Sequence, residues 1–345
     1  MVFELLSVSV FDFLKENEFK PFPQRHVQAF ARQLFKSVAF LHGLTLVHTD
    51  LKPENILLVN GSYQEVDDGS GGKSSHKRAR RKEASSGRSH HARRILDQSD
   101  IRLIDFGSAV FDSEYHPAVV STRHYRAPEI VLGLGWSYAC DVWSIGCILV
   151  EFLTGCALFQ THDNLEHLAI MNKVLGPLPD DLIKQTLAKG LPTFKYFTYS
   201  ATQTGDANPS KVPPLLAPYG TMASTPTADD SNPYYASFPP MNQPARKWQF
   251  SVAYPAADTT RQSVKFVESL NPLDRIILAK RHHMRTESSG SSSRSHASYV
   301  PSQTLYLVQF YDLVRKCLDY DAERRITARD ALKHPFFHVQ EYDDE

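Results

Sequence analysis

Three short motifs in a fixed order constrain this chain more than any other feature. His48-Thr49-Asp50-Leu51-Lys52-Pro53-Glu54-Asn55 comes first, Asp105-Phe106-Gly107 second and Ala127-Pro128-Glu129 third. The first motif groups a carboxylate, an ammonium and a carboxamide between a helical pattern and a β-favouring run. From Phe22 to His42 the apolar residues Val27, Phe30, Ala31, Leu34, Phe35, Val38 and Leu41 recur at amphipathic-helix spacing, with Pro23 near the start. Ile56-Leu57-Leu58-Val59 and Ile101-Arg102-Leu103-Ile104 read as the two strands of a small hairpin. Asp50 and Asp105 sit next to these strands.

Asp141 to Leu153 is apolar nearly all round, as expected of a helix in the middle of a lobe. Further helices are expected at Leu165–Leu175, Leu305–Leu318 and Thr327–Lys333; Thr327 and Asp330 open the last in capping-box-like spacing and Pro335 stops it. Residues 61–100 are rich in Gly, Ser and Arg with almost no apolar content, which predicts a disordered basic insertion between two strands. Residues 198–300 are Pro- and Ser-rich and read as a second insertion, and 339–345 form an acidic tail.

The 38 basic and 38 acidic residues cancel, so no global field argues for nucleic acid or a membrane surface. The longest apolar stretch, Val142 to Leu158, is interrupted by Glu151, which argues against a membrane span. Met1 to Leu14 has Glu4 near its start and no basic n-region, so it reads as core rather than a signal peptide. The 4 cysteines show no C-x-x-C spacing and read as reduced, buried thiols. The run Lys77-Arg78-Ala79-Arg80-Arg81-Lys82 reads either as a nuclear-import signal or as a solvated loop. It lacks the interleaved aromatics of a nucleic-acid-binding module.

Phosphoryl transfer needs a group that orients the accepting hydroxyl and takes its proton, oxygen ligands for magnesium, and positive charge near the transferred group. Asp50 suits the first role. Lys52 is placed to reach the γ-phosphate, Asn55 offers an oxygen ligand, and Asp105 supplies a carboxylate for the metal.

His48–Asn55, Asp105-Phe106-Gly107-Ser108-Ala109, Ser121-Thr122-Arg123-His124-Tyr125-Arg126-Ala127-Pro128-Glu129, Gly135-Trp136-Ser137 and Glu166-His167-Leu168-Ala169 together resemble the LAMMER (CDC-like) dual-specificity protein kinases. The resemblance runs from Val2 to about Leu182, then over Val264–Leu273 and about Leu305–Phe337. The namesake helix departs from E-H-L-A-M-M-E-R at Ile170, Asn172 and Lys173. The implied fold is α+β and protein-kinase-like, a mainly α-helical C-terminal lobe with a small β-hairpin. Residues 1–10 would be the hinge and the end of the last N-lobe strand, and 11–338 the C-lobe with its two insertions. No G-x-G-x-x-G followed by V-A-x-K occurs, which implies that the N-lobe is absent and that these residues alone bind ATP weakly and turn over little.

By the same resemblance Phe3 is the gatekeeper beside the adenine, Glu4 and Leu6 are hinge residues, Asp12 faces the ribose and Leu57 floors the pocket. Asp50, Lys52 and Asn55 are catalytic, with Asn55 and Asp105 holding metal. Glu129 pairs with Arg325, and Asp141 supports the catalytic loop. ATP and Mg²⁺ are the implied cofactors. Protein substrates, Arg/Ser-rich ones among them, are the implied partners of a nuclear or cytoplasmic monomer that binds neither membrane nor nucleic acid. Thr49 stands where most such kinases carry Arg, which implies activity independent of activation-loop phosphorylation. A non-catalytic kinase-like scaffold is the competing reading.

Overall fold

The computed structural model describes residues 4–67, 92–202, 247–280 and 296–339. Phe3, the basic run Lys77–Lys82, most of the Pro/Ser-rich stretch and the tail beyond Val339 lie outside them. In chain order the helices are α1 (Val10–Glu16), α2 (Gln24–Gly43), α3 (Pro128–Leu132), α4 (Ala139–Thr154), α5 (Asn164–Leu175), α6 (Asp180–Ala188), α7 (Arg261–Ser269), α8 (Leu273–Leu278), α9 (His296–Cys317) and α10 (Ala328–Ala331). Among the described residues the strands form antiparallel pairs: β1 (Leu46–Val47) with β6 (Val110–Phe111), β2 (Ile56–Leu58) with β5 (Ile101–Leu103), β3 (Tyr63–Asp67) with β4 (Ala92–Leu96), and β7 (Phe197–Thr202) with β8 (Lys247–Val252).

The core forms around α4, every residue of which from Cys140 to Leu153 is buried. Helix α2 lays Val27, Phe30, Ala31, Leu34, Phe35, Val38 and Leu41 against it, the stripe expected from their spacing. Phe22, Phe30 and Phe152 join the two helices edge-to-face, with ring centroids 5.2 to 5.6 Å apart. From the other side α9 packs on α4 at Gly146, where an added Cβ would lie 2.9 Å from Cys317 and Leu318 side chains. That close approach explains a glycine in mid-helix. Cys140, Cys147 and Cys317 are buried as expected, whereas Cys156, just past the end of α4, is exposed.

The β2–β5 pair has the register Ile56↔Leu103, Leu57↔Arg102 and Leu58↔Ile101, so the sequence reading of a hairpin is correct. Along its other edge β2 receives the segment 4–9: Ser7 N–H donates to Leu58 O at 2.8 Å, Leu58 N–H donates to Val8 O at 3.0 Å, and Ser9 bridges to Leu57. Strand alternation then turns Ile56 and Leu58 into the core and leaves Leu57, half-buried, on the opposite face.

Two stretches carry more structure than composition predicted. The edges of the 61–100 insertion pair as β3 and β4, from Tyr63↔Leu96 to Asp67↔Ala92, and dock on α1 through the Asn17 side chain. Its Nδ2 donates to Arg94 O at 3.0 Å and its Oδ1 accepts from Arg94 N–H at 2.8 Å. The arginines that read as loop charges are amphipathic: the Arg94 guanidinium lies 4.6 Å over the Tyr63 ring. Within 198–300, β7 and β8 pair over their full length, and α7 is capped by Thr260, whose side chain accepts from Ser263 N–H. Helix α8 buries Leu273 and Ile277, and α9 begins at His296 rather than Leu305. Among the described residues no helix is long and apolar enough to cross a membrane.

Candidate active site

The loop between β1 and β2 carries the first motif and is held from below by Asp141 in the first turn of α4. Its carboxylate, 1% exposed, accepts from His48 N–H and Thr49 N–H, both at 2.9 Å, and from His42 Nε2 at 3.0 Å. A buried carboxylate is tolerated there because backbone and ring donors surround it. Thr49 is thereby fixed at φ 70°, a conformation uncommon for a β-branched residue. Two further bonds support it: Thr49 Oγ1 donates to Ser108 O at 2.9 Å, and Ser121 Oγ donates to Thr49 O at 2.6 Å. Asp105 and Ser121 also have positive φ, 64° and 68°. Such strain persists only where surrounding bonds over-determine the backbone, and here it encircles Asp50.

Both oxygens of Asp50 are engaged. Oδ2 accepts from Lys52 Nζ at 2.6 Å and from Asn55 Nδ2 at 3.4 Å; Oδ1 accepts from Thr122 Oγ1 at 2.7 Å and Thr122 N–H at 3.1 Å. Lys52 also donates to Thr122 Oγ1 at 3.3 Å. Burial alone raises the Asp50 carboxyl, but the hydrogen bonds from Lys52 and Thr122 and the lysine charge outweigh it and hold the group below the usual aspartate value. Asp50 is therefore ionised at neutral pH. It opens onto a cleft of about 530 Å³ whose walls include Thr49, Ser108, Pro117, Val119, Thr122 and Arg126.

Asn55, buried, donates Nδ2 to Asp50 O at 2.9 Å, and its backbone carbonyl accepts from Ile104 N–H at 3.0 Å. The second bond places Asp105 one residue from the backbone partner of Asn55. The Asp105 side chain is exposed and Oδ1 accepts from Gly107 N–H at 3.2 Å. His48 reaches over the same turn, donating to Ile104 O at 3.1 Å and lying 5.4 Å from the Phe106 ring. With Nδ2 committed to Asp50, Asn55 has its Oδ1 available, and Asp105 has an oxygen that accepts no bond from the described residues. One amide oxygen and one carboxylate oxygen suit Mg²⁺, which takes few protein oxygens and completes its shell from phosphates and water. Among the described residues no three His, Cys, Asp or Glu side chains gather at a metal position, consistent with so sparse a donor set.

The expected nucleotide-contacting residues lie along the segment before α1, in its first turn and on β2. Leu57 and Leu6 are half-buried on the segment-and-strand layer. The Glu4 side chain is turned to Arg102, Oε2 accepting from Nε at 3.1 Å. The Asp12 carboxylate accepts from Ser9 Oγ at 2.7 Å while Ser9 Oγ accepts from Asp12 N–H at 2.9 Å, the capping arrangement of α1. Phe3 lies outside the described residues.

Two buried contacts, one an ion pair and one a hydrogen bond, brace the site. Arg325 forks onto Glu129 at 2.7 and 2.9 Å and lies 5.1 Å over the Trp143 ring, tying the third motif to the segment before α10. Tyr125 donates its hydroxyl to Glu151 Oε2 at 2.7 Å. Burial first, then the nearby Glu54 charge, pushes the Glu151 carboxyl up to about 7 against the pull of the Tyr125 bond. Of the residues that shape Asp50, Thr122 stands 72 positions away and is not legible from spacing; only its place in Ser121-Thr122-Arg123 hints at it.

The helical body thus carries a pinned aspartate beside a lysine, an asparagine and a second aspartate, and the chain belongs to the protein kinase domain family, which matches residues 1–187. Its sequence is 40% identical to dual specificity protein kinase lkh1 of Schizosaccharomyces pombe over 98% of this chain and 35% of that protein. It is 38% identical to serine/threonine-protein kinase AFC3 of Arabidopsis thaliana, covering 98% of this chain and 62% of the relative, and 36% identical to dual specificity protein kinase CLK1 of Homo sapiens, covering 98% and 49%. A crystal structure of another kinase domain matches with TM-score 0.62 and 25% identity over 96% of this chain and 71% of that one. The chain thus spans 35% to 62% of the length of these curated relatives. The family match begins at residue 1, so the comparisons do not support the expectation that the N-lobe is absent.

Proposed function

We propose that the chain acts as a protein kinase, transferring the γ-phosphoryl group of ATP to Ser and Thr, and also Tyr, hydroxyls of protein substrates, Arg/Ser-rich ones among them. The observation that carries this reading is the double restraint of Asp50 by Lys52 and Thr122 at the wall of an open cleft. A substrate hydroxyl entering the cleft would donate to the ionised Asp50, which orients it and takes its proton. Lys52, already beside that carboxylate, supplies positive charge where the transferred group arrives. Asn55 Oδ1 and Asp105 would hold Mg²⁺, which when bound offsets phosphate charge. The names of the relatives support dual specificity, and the run Lys77–Lys82 supports a nuclear or cytoplasmic protein.

The segment between Asp105 and Glu129 is tied down by side-chain bonds of its own. Thr49 ties Ser108, Ser121 ties Thr49, and Trp136 Nε1 donates to Pro117 O at 2.8 Å with His116 stacked on its indole at 4.3 Å. These contacts support activity that does not wait for loop phosphorylation. The test is phosphate transfer to an Arg/Ser peptide from labelled ATP, comparing the chain with Asp50→Asn. Transfer should fall about a hundredfold or more. Equal transfer by both would refute the assignment, and absence of transfer by the unaltered chain would favour the scaffold reading.

A further inference from the structure

The chain leaves α5 through Leu175-Gly176-Pro177-Leu178-Pro179, and Gly176 takes φ 96° and ψ 177°, a backbone conformation that is nearly glycine's alone. Carbonyls at this exit find their donors on the end of α9 and the loop after it. Arg315 donates to Leu175 O and the Tyr320 hydroxyl to Gly176 O, each at 3.0 Å. Between the two elements lies a notch of about 260 Å³, with buried Leu175, Leu318 and Tyr320 for its apolar lining and Arg315, Asp319 and Arg324 for its charges. It shares no lining residue with the cleft that holds Asp50, and phosphoryl transfer as just described makes no use of it.

Size and charge decide what the notch can take. Its 260 Å³ falls short of the about 300–1,000 Å³ of small-molecule pockets, so it suits a single side chain rather than a nucleotide. Two guanidiniums and one carboxylate line it, which leaves one positive charge in excess. Arg315 spends one of its five donors on Leu175 O, and the exposed Arg324 guanidinium makes no hydrogen bond or ion pair among the described residues. The Asp319 carboxylate accepts from Asp321 N–H at 3.0 Å and, among the described residues, pairs with neither arginine. Little backbone is left for strand pairing. Leu175 O and Gly176 O already accept, and Pro177 and Pro179 have no N–H to give. A peptide lying here is therefore held by its side chains.

We propose that this notch docks an acidic segment of a partner protein, with an apolar side chain set against Leu175, Leu318 and Tyr320 and a neighbouring carboxylate between Arg315 and Arg324. One carboxylate balances the excess charge and accepts in the forked geometry that guanidiniums favour. A phosphate dianion overshoots that charge and is repelled by Asp319. Because the notch is separate from the cleft, a partner docked there keeps the rest of its chain free to reach Asp50, and the two contacts add to one another's affinity.

The test is fluorescence anisotropy of labelled peptides in a Gly/Ser background, titrated with the full chain. One set carries Leu, Phe or Tyr followed by Asp-Asp, a second carries Asn-Asn instead, and a third has phosphoserine in place of the first Asp. The best acidic peptide should bind about tenfold more tightly than its amide twin, and the gap should narrow as salt rises. Arg324→Glu, a change at an exposed position, should erase the gap while phosphate transfer to a short Arg/Ser peptide stays unchanged. Tighter binding after Asp343→Asn, Asp344→Asn and Glu345→Gln together supports the site and makes this chain's own acidic end a competing occupant. Equal binding of acid and amide for all three apolar side chains, or a gap that survives both Arg324→Glu and Arg315→Lys, overturns the proposal. So does tighter binding of the phosphoserine set, which would assign the arginines to a dianion instead.

Discussion

Glu151 is 3% exposed and its one bond from the described residues comes from Tyr125. Its carboxyl is raised from the ordinary 4.5 to about 7. Between those values the folded chain keeps a proton that the unfolded chain has released. The stability tied to Glu151 is therefore complete below the ordinary value and is lost as pH rises through about 7. At ~1.4 kcal/mol per pKa unit the gap amounts to about 3 kcal/mol. Glu151→Gln keeps an acceptor for Tyr125 and cannot ionise. Relative to the unaltered chain it should be nearly neutral at about pH 5 and more stable by about 3 kcal/mol at about pH 8. Urea unfolding followed by tryptophan fluorescence across that span gives the difference directly, with buried Trp143 as a reporter. His26 and His167, pushed down to about 4 and about 3 chiefly by burial, titrate in the opposite sense, losing stability as pH falls below the ordinary histidine value. Both are common to the two chains and cancel in the difference. A difference that stays constant with pH would mean that Glu151 is not buried as a neutral acid, and the reasoning would fail.

Two other outcomes follow from the site. Asp141→Asn presents an N–H₂ group to donors that now share a carboxylate, leaving a buried backbone N–H of His48 or Thr49 without an acceptor; a loss of about 3 kcal/mol in urea unfolding is expected, and an unchanged midpoint would contradict the supporting role. Thr122→Ala removes a hydroxyl that lowers the Asp50 carboxyl, so the acid limb of the kcat/KM profile should move to higher pH, whereas a static limb would mean that another group sets it.

What was legible in the sequence is what repeats or lies close in the chain. The stripe on α2 follows from a period of 3.6 and the β2–β5 hairpin from two short β-favouring runs, and Asp50, Lys52 and Asn55 fall within one turn of loop, so their meeting needed no long-range knowledge. Thr122 reaching Asp50, and Asp141 gathering two backbone amides, join residues far apart in sequence whose side chains have no period. Strands β3 and β4 were hidden for a different reason. Arg93 and Arg94 read as solvated charge, yet the Arg94 backbone is fastened to Asn17 and its guanidinium covers Tyr63, so composition reported the tip of the side chain and not its stem.

The pairing of Asp67 with Ala92 has a consequence for how this chain can change. A ladder that brings exit and return to neighbouring positions has already met most of the entropy of closing whatever lies between. Lengthening the intervening peptide twofold adds only about 0.6 kcal/mol. That junction is a graft point: sequence can be gained, lost or rewritten there while the ladder and its bonds to Asn17 hold both ends in place, much as a handle can be swapped on a fixed blade.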